Sequence, residues 1–380
     1  MTFMDIMIWG TGKYGKLAYL YYNESKRVKC FIDNDKNKHG TFLEGIEICD
    51  PSVLKHVKNI TVVIASAVHS KDIQMQLYHK YSIRNSILFK VQCEYTIYGE
   101  KYNNFNNEIL IKISGGIGNQ MFQYAFGKCF EKRGRKVTYE LSYYNNIGDR
   151  HFTLKDVFNK TSFVFQNLEC RNPELPVYYD QDVKTNKEYQ ANMKLLDLCA
   201  GYFIGYWQSW KYAYIVREEL LREFIFPDEK EEMLRKISRD IASENSVSIH
   251  IRRGDYLNEE NERIFAGICN ENYYENAIQY MSTRTADVKF YIFSNDIEWV
   301  RHTYHGKNVF IVEQSLFENY QDWYDMYLMS CCKHNIIANS TFSWWGAWLN
   351  QNRNKIVIAP QKVVNTCDVL DFYPDDWIRI

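Results

Sequence analysis

Val247-Ser-Ile-His-Ile-Arg-Arg-Gly-Asp255 runs apolar through Val247, Ile249 and Ile251 and then breaks at Gly254. That pattern predicts a strand delivering Arg252 and Arg253 at its carboxyl end, the edge at which open α/β sheets bind ligands. A guanidinium group there offers a fixed fork of N–H donors that matches phosphate oxygens. A second stretch, Ile336-Ile-Ala-Asn-Ser-Thr-Phe-Ser-Trp-Trp345, repeats the design without charge. Ile336-Ile337-Ala338 reads as a buried strand, and Asn339, Ser340 and Thr341 supply short donors before a Trp-rich helix, whose start attracts anions. The two stretches together read as a site for a nucleoside diphosphate.

Further strands of this last region, from about Ser246 to Ile380, end on Ser294 of Tyr291-Ile-Phe-Ser-Asn-Asp296, on Gln314 and on Asn339. Repeated β-α units of this kind imply a parallel sheet. Upstream, Ile109–Ile113 alternates as a strand and leads into Ser114-Gly-Gly-Ile-Gly-Asn-Gln120 and a helix with apolar residues at Phe122, Ala125, Phe126, Cys129 and Phe130. This second strand, glycine loop and helix opens a domain expected over 109–245, and the last domain covers 246–380. Asn103-Asn-Phe-Asn-Asn107 has the composition of a linker, placed over 99–108.

Residues 1–98 form a separate unit. Ile6–Trp9 is a strand, Gly10-Thr-Gly12-Lys-Tyr-Gly15 a glycine turn, and Val28–Ile32 a second strand ending on Asp33. That is the dinucleotide fingerprint, in which the acidic residue meets a ribose. Such a fold needs two halves, and the chain leaves this unit too soon for the second. NAD binding, mononucleotide binding and a docking role therefore all stay open for Gly10, Gly12, Gly15 and Asp33. Tyr22 and Lys26 have the spacing of a dehydrogenase dyad but sit in the first helix, and Asp33-Asn-Asp35 imitates a metal-binding pair where a turn belongs; both are read as coincidence.

With 380 residues the chain holds two or three domains. Its 46 basic and 47 acidic residues balance, so net charge indicates neither nucleic acid nor an anionic membrane. The ten Cys show no metal-ligand spacing, which fits a reducing compartment without structural zinc. Residues 1–20 read as strand, turn and helix rather than a signal peptide, and no apolar run reaches the roughly 18 residues of a membrane span. A cytoplasmic protein is expected, at most peripherally attached to the inner face of a membrane.

Five motifs now carry a resemblance. Gly115-Gly-Ile-Gly-Asn-Gln-Met-Phe-Gln-Tyr-Ala125, Gly205-Tyr-Trp-Gln208, His250-Ile-Arg-Arg-Gly-Asp-Tyr256, Phe293-Ser-Asn-Asp296 and Asn339-Ser-Thr-Phe-Ser-Trp-Trp-Gly-Ala-Trp348 occur in the order seen in bacterial α-1,2-fucosyltransferases of glycosyltransferase family 11. Residues 109–380 resemble that family, and residues 1–98 lie outside it. The resemblance implies an α/β GT-B architecture: two Rossmann-like domains facing a cleft, here preceded by a small Rossmann-like β-α-β domain. It also implies inverting transfer of L-fucose from GDP-fucose, as donor substrate and with no metal or other cofactor, to the 2-hydroxyl of a galactose. The acceptor expected is a surface-polysaccharide or lipopolysaccharide precursor, which a lipid-linked intermediate at the inner face would suit. The alternatives are a fucosyltransferase of another linkage and an NAD-linked oxidoreductase built on Gly10–Gly15.

By the same resemblance Arg252 neutralises the leaving diphosphate, Arg253 assists or holds local structure through Asp255, and His250 orients the arginine or touches the diphosphate. Asn119, beside Gly118 in the glycine loop, reaches the donor; Ser340, Thr341 and the backbone of Phe342 bond the phosphates; Ser294 and Asp296 face ribose or guanine. Asp255 is a candidate general base or a structural ion-pair partner. Tyr206, Trp207 and Gln208 are the candidates for acceptor contacts. Trp344 is a candidate for the cleft lining, while Trp345 and Trp348 are expected in the core.

Overall fold

A computed structural model describes the chain except residues 1–4, 23–27, 58–59, 67–68, 84–85, 89–107, 146–150, 169–170, 172–174, 182, 184–185, 229–230 and 254–258. Tyr256, Lys26, Asp255 and residues 99–107 of the expected 99–108 linker therefore lie outside the described residues, and Glu108 already begins a strand. The chain divides into two compact units, one of Met1–Glu100 with Arg171–Tyr179, the other of Lys101–Cys170 with Asp180–Ile380.

In the first unit the strand Asp5–Trp9 lies at the centre of a sheet, paired in parallel with Val28–Ile32 on one side and Ile60–Ile64 on the other. Ile46–Cys49 and Ser86–Leu88 extend the two sides in parallel, and Phe42–Leu43 closes one edge as a short antiparallel strand. Central strands with both faces covered must be apolar throughout. Ile6, Met7, Ile8 and Trp9 are accordingly all buried.

The second unit carries two larger sheets, the GT-B plan, besides a short parallel pair of Glu188–Tyr189 with Asp368–Val369. In its first half Glu108–Lys112 is flanked by Lys136–Glu140 and Gly201–Ile204. In its second half six parallel strands run in the order Val309–Ile311, Val288–Ser294, Asn245–Ile251, His334–Ile336, Val357–Ala359, Ile378–Arg379. Numbered along the chain, that order is 3-2-1-4-5-6, and the direction of winding reverses between Asn245–Ile251 and His334–Ile336. Ligands of doubly wound folds sit at this switch point, beyond the carboxyl ends of the strands. Ile249 pairs with Ile336, so the chain leaves the sheet at Arg252 beside Asn339.

Both faces of Val247–Ile251 are buried, and the polar one is satisfied from within: the Ser248 hydroxyl accepts from Asn335 Nδ2 (2.8 Å), which also donates to the Met329 carbonyl (2.8 Å). Val247, Ile249 and Ile251 pack with Phe290, Ile292 and Ile336 on the other face. Each such side chain contributes roughly 1.5 to 3 kcal/mol of burial energy.

The two halves meet along the helices Ile117–Glu131 and Thr341–Leu349. Phe122 packs against Trp344 and Trp345 with ring centroids 4.6 and 5.0 Å apart, and Trp345 Nε1 donates to the Gly118 carbonyl at 3.0 Å. The C-terminal segment returns to the first half: the Trp210 N–H donates to the Asp371 carbonyl and Trp344 Nε1 to that of Phe372. Trp344, Trp345 and Trp348 are all core residues. The place expected for Trp344 in the cleft lining is corrected by its complete burial.

Candidate functional site

The strand Glu108–Lys112 ends in the turn Ser114-Gly-Gly, where Gly115 adopts φ +77°, and the helix Ile117–Glu131 follows at once. Its glutamines fasten the turn: Gln123 Oε1 accepts from the Ser114 N–H (2.9 Å) and Gln120 Nε2 donates to the Gly115 carbonyl (3.0 Å). Asn119 occupies the first turn of the helix. Its Oδ1 accepts from Gln208 Nε2 at 2.9 Å and from the Thr341 hydroxyl at 3.1 Å. Three of the expected residues, from two motifs of the first half and one of the second, thus meet at one oxygen.

Gly118 makes this meeting geometrically possible. A Cβ there would stand 2.7 Å from both the carbonyl carbon and the hydroxyl of Thr341 and 2.9 Å from the Phe342 nitrogen. Only a residue without a side chain lets the two backbones approach so closely. On the facing helix Ser340 is the N-cap, and its hydroxyl accepts from the Phe342 N–H at 3.3 Å. Ser340 and the Phe342 amide are therefore occupied with each other.

His250, the penultimate residue of its strand, is 5 % exposed, and its ring lies 5.8 Å from that of Phe342. Its Nδ1 has no hydrogen-bond partner among the described residues. Burial, and next the charge of Arg252, push its pKa down to about 3, so the imidazole is neutral at physiological pH. Arg252 follows at the switch point and lines a cavity of about 420 Å³ together with Arg253, Cys269, Asn270, Tyr274 and Trp299.

Arg253 lines this cavity while also engaged in structure. Its Nε donates to Asp296 Oδ2 at 3.1 Å, its guanidinium lies 4.1 Å from the Trp299 ring centroid, and its backbone N–H bonds to Asn295. Asp296 is the partner found, whereas Asp255 lies outside the described residues. The other Asp296 oxygen caps the helix Ile297–Thr303 by accepting from the Trp299 N–H (3.2 Å), and Ser294 Oγ accepts from the Asp296 N–H (3.0 Å). Both carboxylate oxygens expected to meet guanine are thus already bonded within the protein.

Among the expected acceptor residues, Tyr206 is 43 % exposed. Trp207, expected to touch the acceptor, instead packs in the core at 2 % exposure, stacked on Phe126 at 4.3 Å and 7°. Gln208 turns to Asn119, as described. The residue that sequence reading missed is Asp180: its carboxylate accepts from the Trp207 N–H (2.7 Å), the Gln181 N–H (3.0 Å) and the Tyr189 hydroxyl (3.3 Å). Burial pushes it up to about 7 against the pull of these donors. The sequence carries no sign of this role, which depends on a loop distant along the chain. Gln120 and Gln123 were visible as polar residues on one face of an apolar helix.

In the first unit Gly10 and Gly12 form the turn after Asp5–Trp9, and Gly15 lies in the helix Lys13–Tyr22. Asp33 is hydrogen-bonded by the Thr11 hydroxyl, and its Oδ2 pairs with Lys38 Nζ at 3.0 Å. The carboxylate that a ribose would require is already neutralised. Among the described residues no group of three or more His, Cys, Asp or Glu side chains is placed to hold a metal ion, and no helix is long and apolar enough to cross a membrane.

Residues 84–380 match the sequence profile of glycosyl transferase family 11. The chain belongs to this family. Residues 3–87 match a separate profile, C2185-like, N-terminal, which accounts for the additional domain. An alpha-1,2-colitosyltransferase of Escherichia coli is 33 % identical over 288 residues, covering 72 % of this chain and 98 % of that protein. The O-antigen biosynthesis glycosyltransferase WbnK of Escherichia coli is 29 % identical, covering 70 % and 99 %. Galactoside alpha-(1,2)-fucosyltransferase 2 of Gorilla gorilla gorilla is 27 % identical, covering 63 % and 68 %. This family 11 chain is therefore a glycosyltransferase of the fucosyltransferase-like kind, with its family motifs gathered around the contact of two Rossmann-like halves.

Proposed function

We propose that this glycosyltransferase moves L-fucose from GDP-fucose to the 2-hydroxyl of a galactose in a surface-polysaccharide or lipopolysaccharide precursor. The observation that carries the reading is Arg252 at the topological switch point, beside the helix start that presents Thr341 to Asn119. Two of the relatives named above act, by their names, in α-1,2 linkage, which supports the linkage.

In the reaction the bond from the sugar's anomeric carbon to the β-phosphate oxygen breaks, and the bonding pair leaves with the diphosphate. The acceptor oxygen attacks the opposite face, so configuration inverts. The barrier falls to the extent that fixed positive charge meets the leaving diphosphate. Arg252 supplies that charge, so no divalent cation is needed for it. The neutral His250 ring, whose Nδ1 has no partner among the described residues, offers an N–H to the same group when it takes the tautomer protonated there. Asn119 presents its amide N–H groups to the donor, its oxygen being filled by Gln208 and Thr341. The hydroxyl proton passes to a base or to solvent after departure of the leaving group.

The donor requires a direct test, because colitose is the 3-deoxy counterpart of L-fucose and the two GDP-sugars differ by one hydroxyl. A site that hydrogen-bonds that hydroxyl rejects the deoxy sugar by large factors. Competition between GDP-fucose and GDP-colitose for one β-galactoside acceptor, read by product mass, is expected to favour fucose. A product carrying only colitose would overturn the donor assignment and leave the transferase reading intact.

A further inference from the structure

We infer that Gln208 is a positioning residue that sets the orientation of the Asn119 carboxamide, and that Asp180 anchors the loop from which it acts. This inference rests on the proposed transfer from a GDP-sugar.

A carboxamide has one oxygen, with two lone pairs, and one nitrogen with two N–H donors. At Asn119 both oxygen sites are used, by Gln208 Nε2 at 2.9 Å and the Thr341 hydroxyl at 3.1 Å. Its amide nitrogen is thereby turned to the other side, where it lies against Gly115: a Cβ at that φ +77° glycine would come within 2.6 Å of Nδ2. The glycine turn thus leaves room for the nitrogen, and Gln208 determines that the nitrogen, not the oxygen, faces the turn.

Gln208 does this from a loop held at three points. The Gly205 carbonyl accepts from Gln123 Nε2 at 2.8 Å, the Trp207 N–H donates to the Asp180 carboxylate at 2.7 Å, and the Trp207 ring is stacked on Phe126. Trp207 also has φ +53°, a conformation that a non-glycine residue keeps only when its surroundings impose it. Asp180 supplies the imposing contact, since its carboxylate accepts from the Trp207 N–H while the Gln181 N–H and the Tyr189 hydroxyl hold it in place. A half-buried acceptor with this many donors orients backbone that would otherwise relax. The chain of contacts runs from Asp180 through Trp207 and Gln208 to Asn119 and ends on Thr341 in the other half of the transferase.

Gln208→Glu tests the inference because it keeps the shape and removes only the donor. Gln208 meets the Asn119 carboxamide, whose oxygen also accepts from the Thr341 hydroxyl; the titratable group holding the same loop is Asp180, pushed up to about 7 by burial and present in both proteins. A carboxylate at 208 cannot donate to Oδ1, so the Asn119 amide must turn over and offer its oxygen to the donor sugar-nucleotide. At pH 8 the variant is expected to lose about tenfold or more in kcat/KM for GDP-fucose, the equivalent of one hydrogen bond in the site. As pH falls from 8 toward about 4.5, Asp180 titrates in both proteins and so enters both terms of the ratio, whereas the glutamate protonates only in the variant and regains a donor, so the ratio of variant to wild-type activity rises. Asn119→Ala and the double variant complete a cycle, in which the Gln208 substitution has no further effect once Asn119 is gone. A ratio independent of pH, or additive losses in the cycle, would overturn the inference. Absence of turnover in the wild type would instead count against the transferase reading, and Arg252→Ala run in parallel keeps the two failures apart.

Discussion

Gly118→Ala perturbs the contact on which the transferase half-to-half geometry depends. The added Cβ would lie 2.7 Å from the Thr341 carbonyl carbon and hydroxyl and 2.9 Å from the Phe342 nitrogen. Ordinary contacts between such atoms begin at about 3.5 Å, so the two helix starts must part by roughly 0.8 Å. The atoms in the way are mainly backbone, so rotamer changes do not relieve the overlap. Separation by that amount carries the 3.1 Å bond between Thr341 and Asn119 beyond hydrogen-bond range and stretches the 3.0 Å bond from Trp345 Nε1 to the Gly118 carbonyl. Overpacking of this kind costs about 1 to 3 kcal/mol of stability. Displacing a reactant-positioning group by around 1 Å costs on the order of a hundredfold in rate. Thermal unfolding and steady-state kinetics with GDP-fucose and a β-galactoside check both, with Gly116→Ala as control, since a Cβ there meets nothing within 4 Å. A Gly118→Ala protein with wild-type kcat would refute the reasoning.

Further predictions concern the remaining site residues. His250 is held near a pKa of about 3 against an ordinary 6.5, so its stability contribution is fully present above 6.5 and is lost as pH falls toward 3. At about pH 4.5 that loss amounts to roughly 3 kcal/mol; urea unfolding followed by Trp fluorescence should show the wild type losing that much more than His250→Asn between pH 7 and 4.5, and equal losses would refute it. Asp296→Ala removes a helix cap and the Arg253 partner and is expected to cost about 1 to 2 kcal/mol in thermal unfolding. Lys355 Nζ donates to the Ala347 and Asn350 carbonyls at 2.7 Å each, closing the helix that carries Thr341; Lys355→Met is expected to cost about 2 kcal/mol by leaving buried carbonyls unpaired. NADH fluorescence should not change on adding the protein, because Lys38 and Thr11 already hold Asp33.

The strand ends were legible because each follows an apolar run cut by glycine or by a short polar cluster, and the motifs at Gly118, Arg252 and Thr341 fall where those runs stop. The winding order was not legible: no feature of His334–Ile336 states that it lies beside Asn245–Ile251. The mutual pairing of Arg253 and Asp296 was not legible for a related reason. Charge at a strand end reads as available for ligand until the structure shows that neighbouring ends supply each other's partners. Trp207 looked like an acceptor contact because an aromatic residue in a polar loop resembles a sugar platform, but a positive φ turns its ring into the core. Asp180 gave no signal, since its function lies in accepting backbone N–H groups, and every loop has those.

The most direct measurement is product analysis of GDP-fucose incubated with a β-galactoside acceptor and either the wild-type protein or Arg252→Ala, with and without EDTA. Fucose attached at the galactose 2-hydroxyl, formed equally with EDTA and reduced at least about a hundredfold in the variant, is the predicted result. Transfer that survives loss of Arg252 in a folded protein, or that stops on chelation, would contradict the assignment of the leaving diphosphate to this arginine.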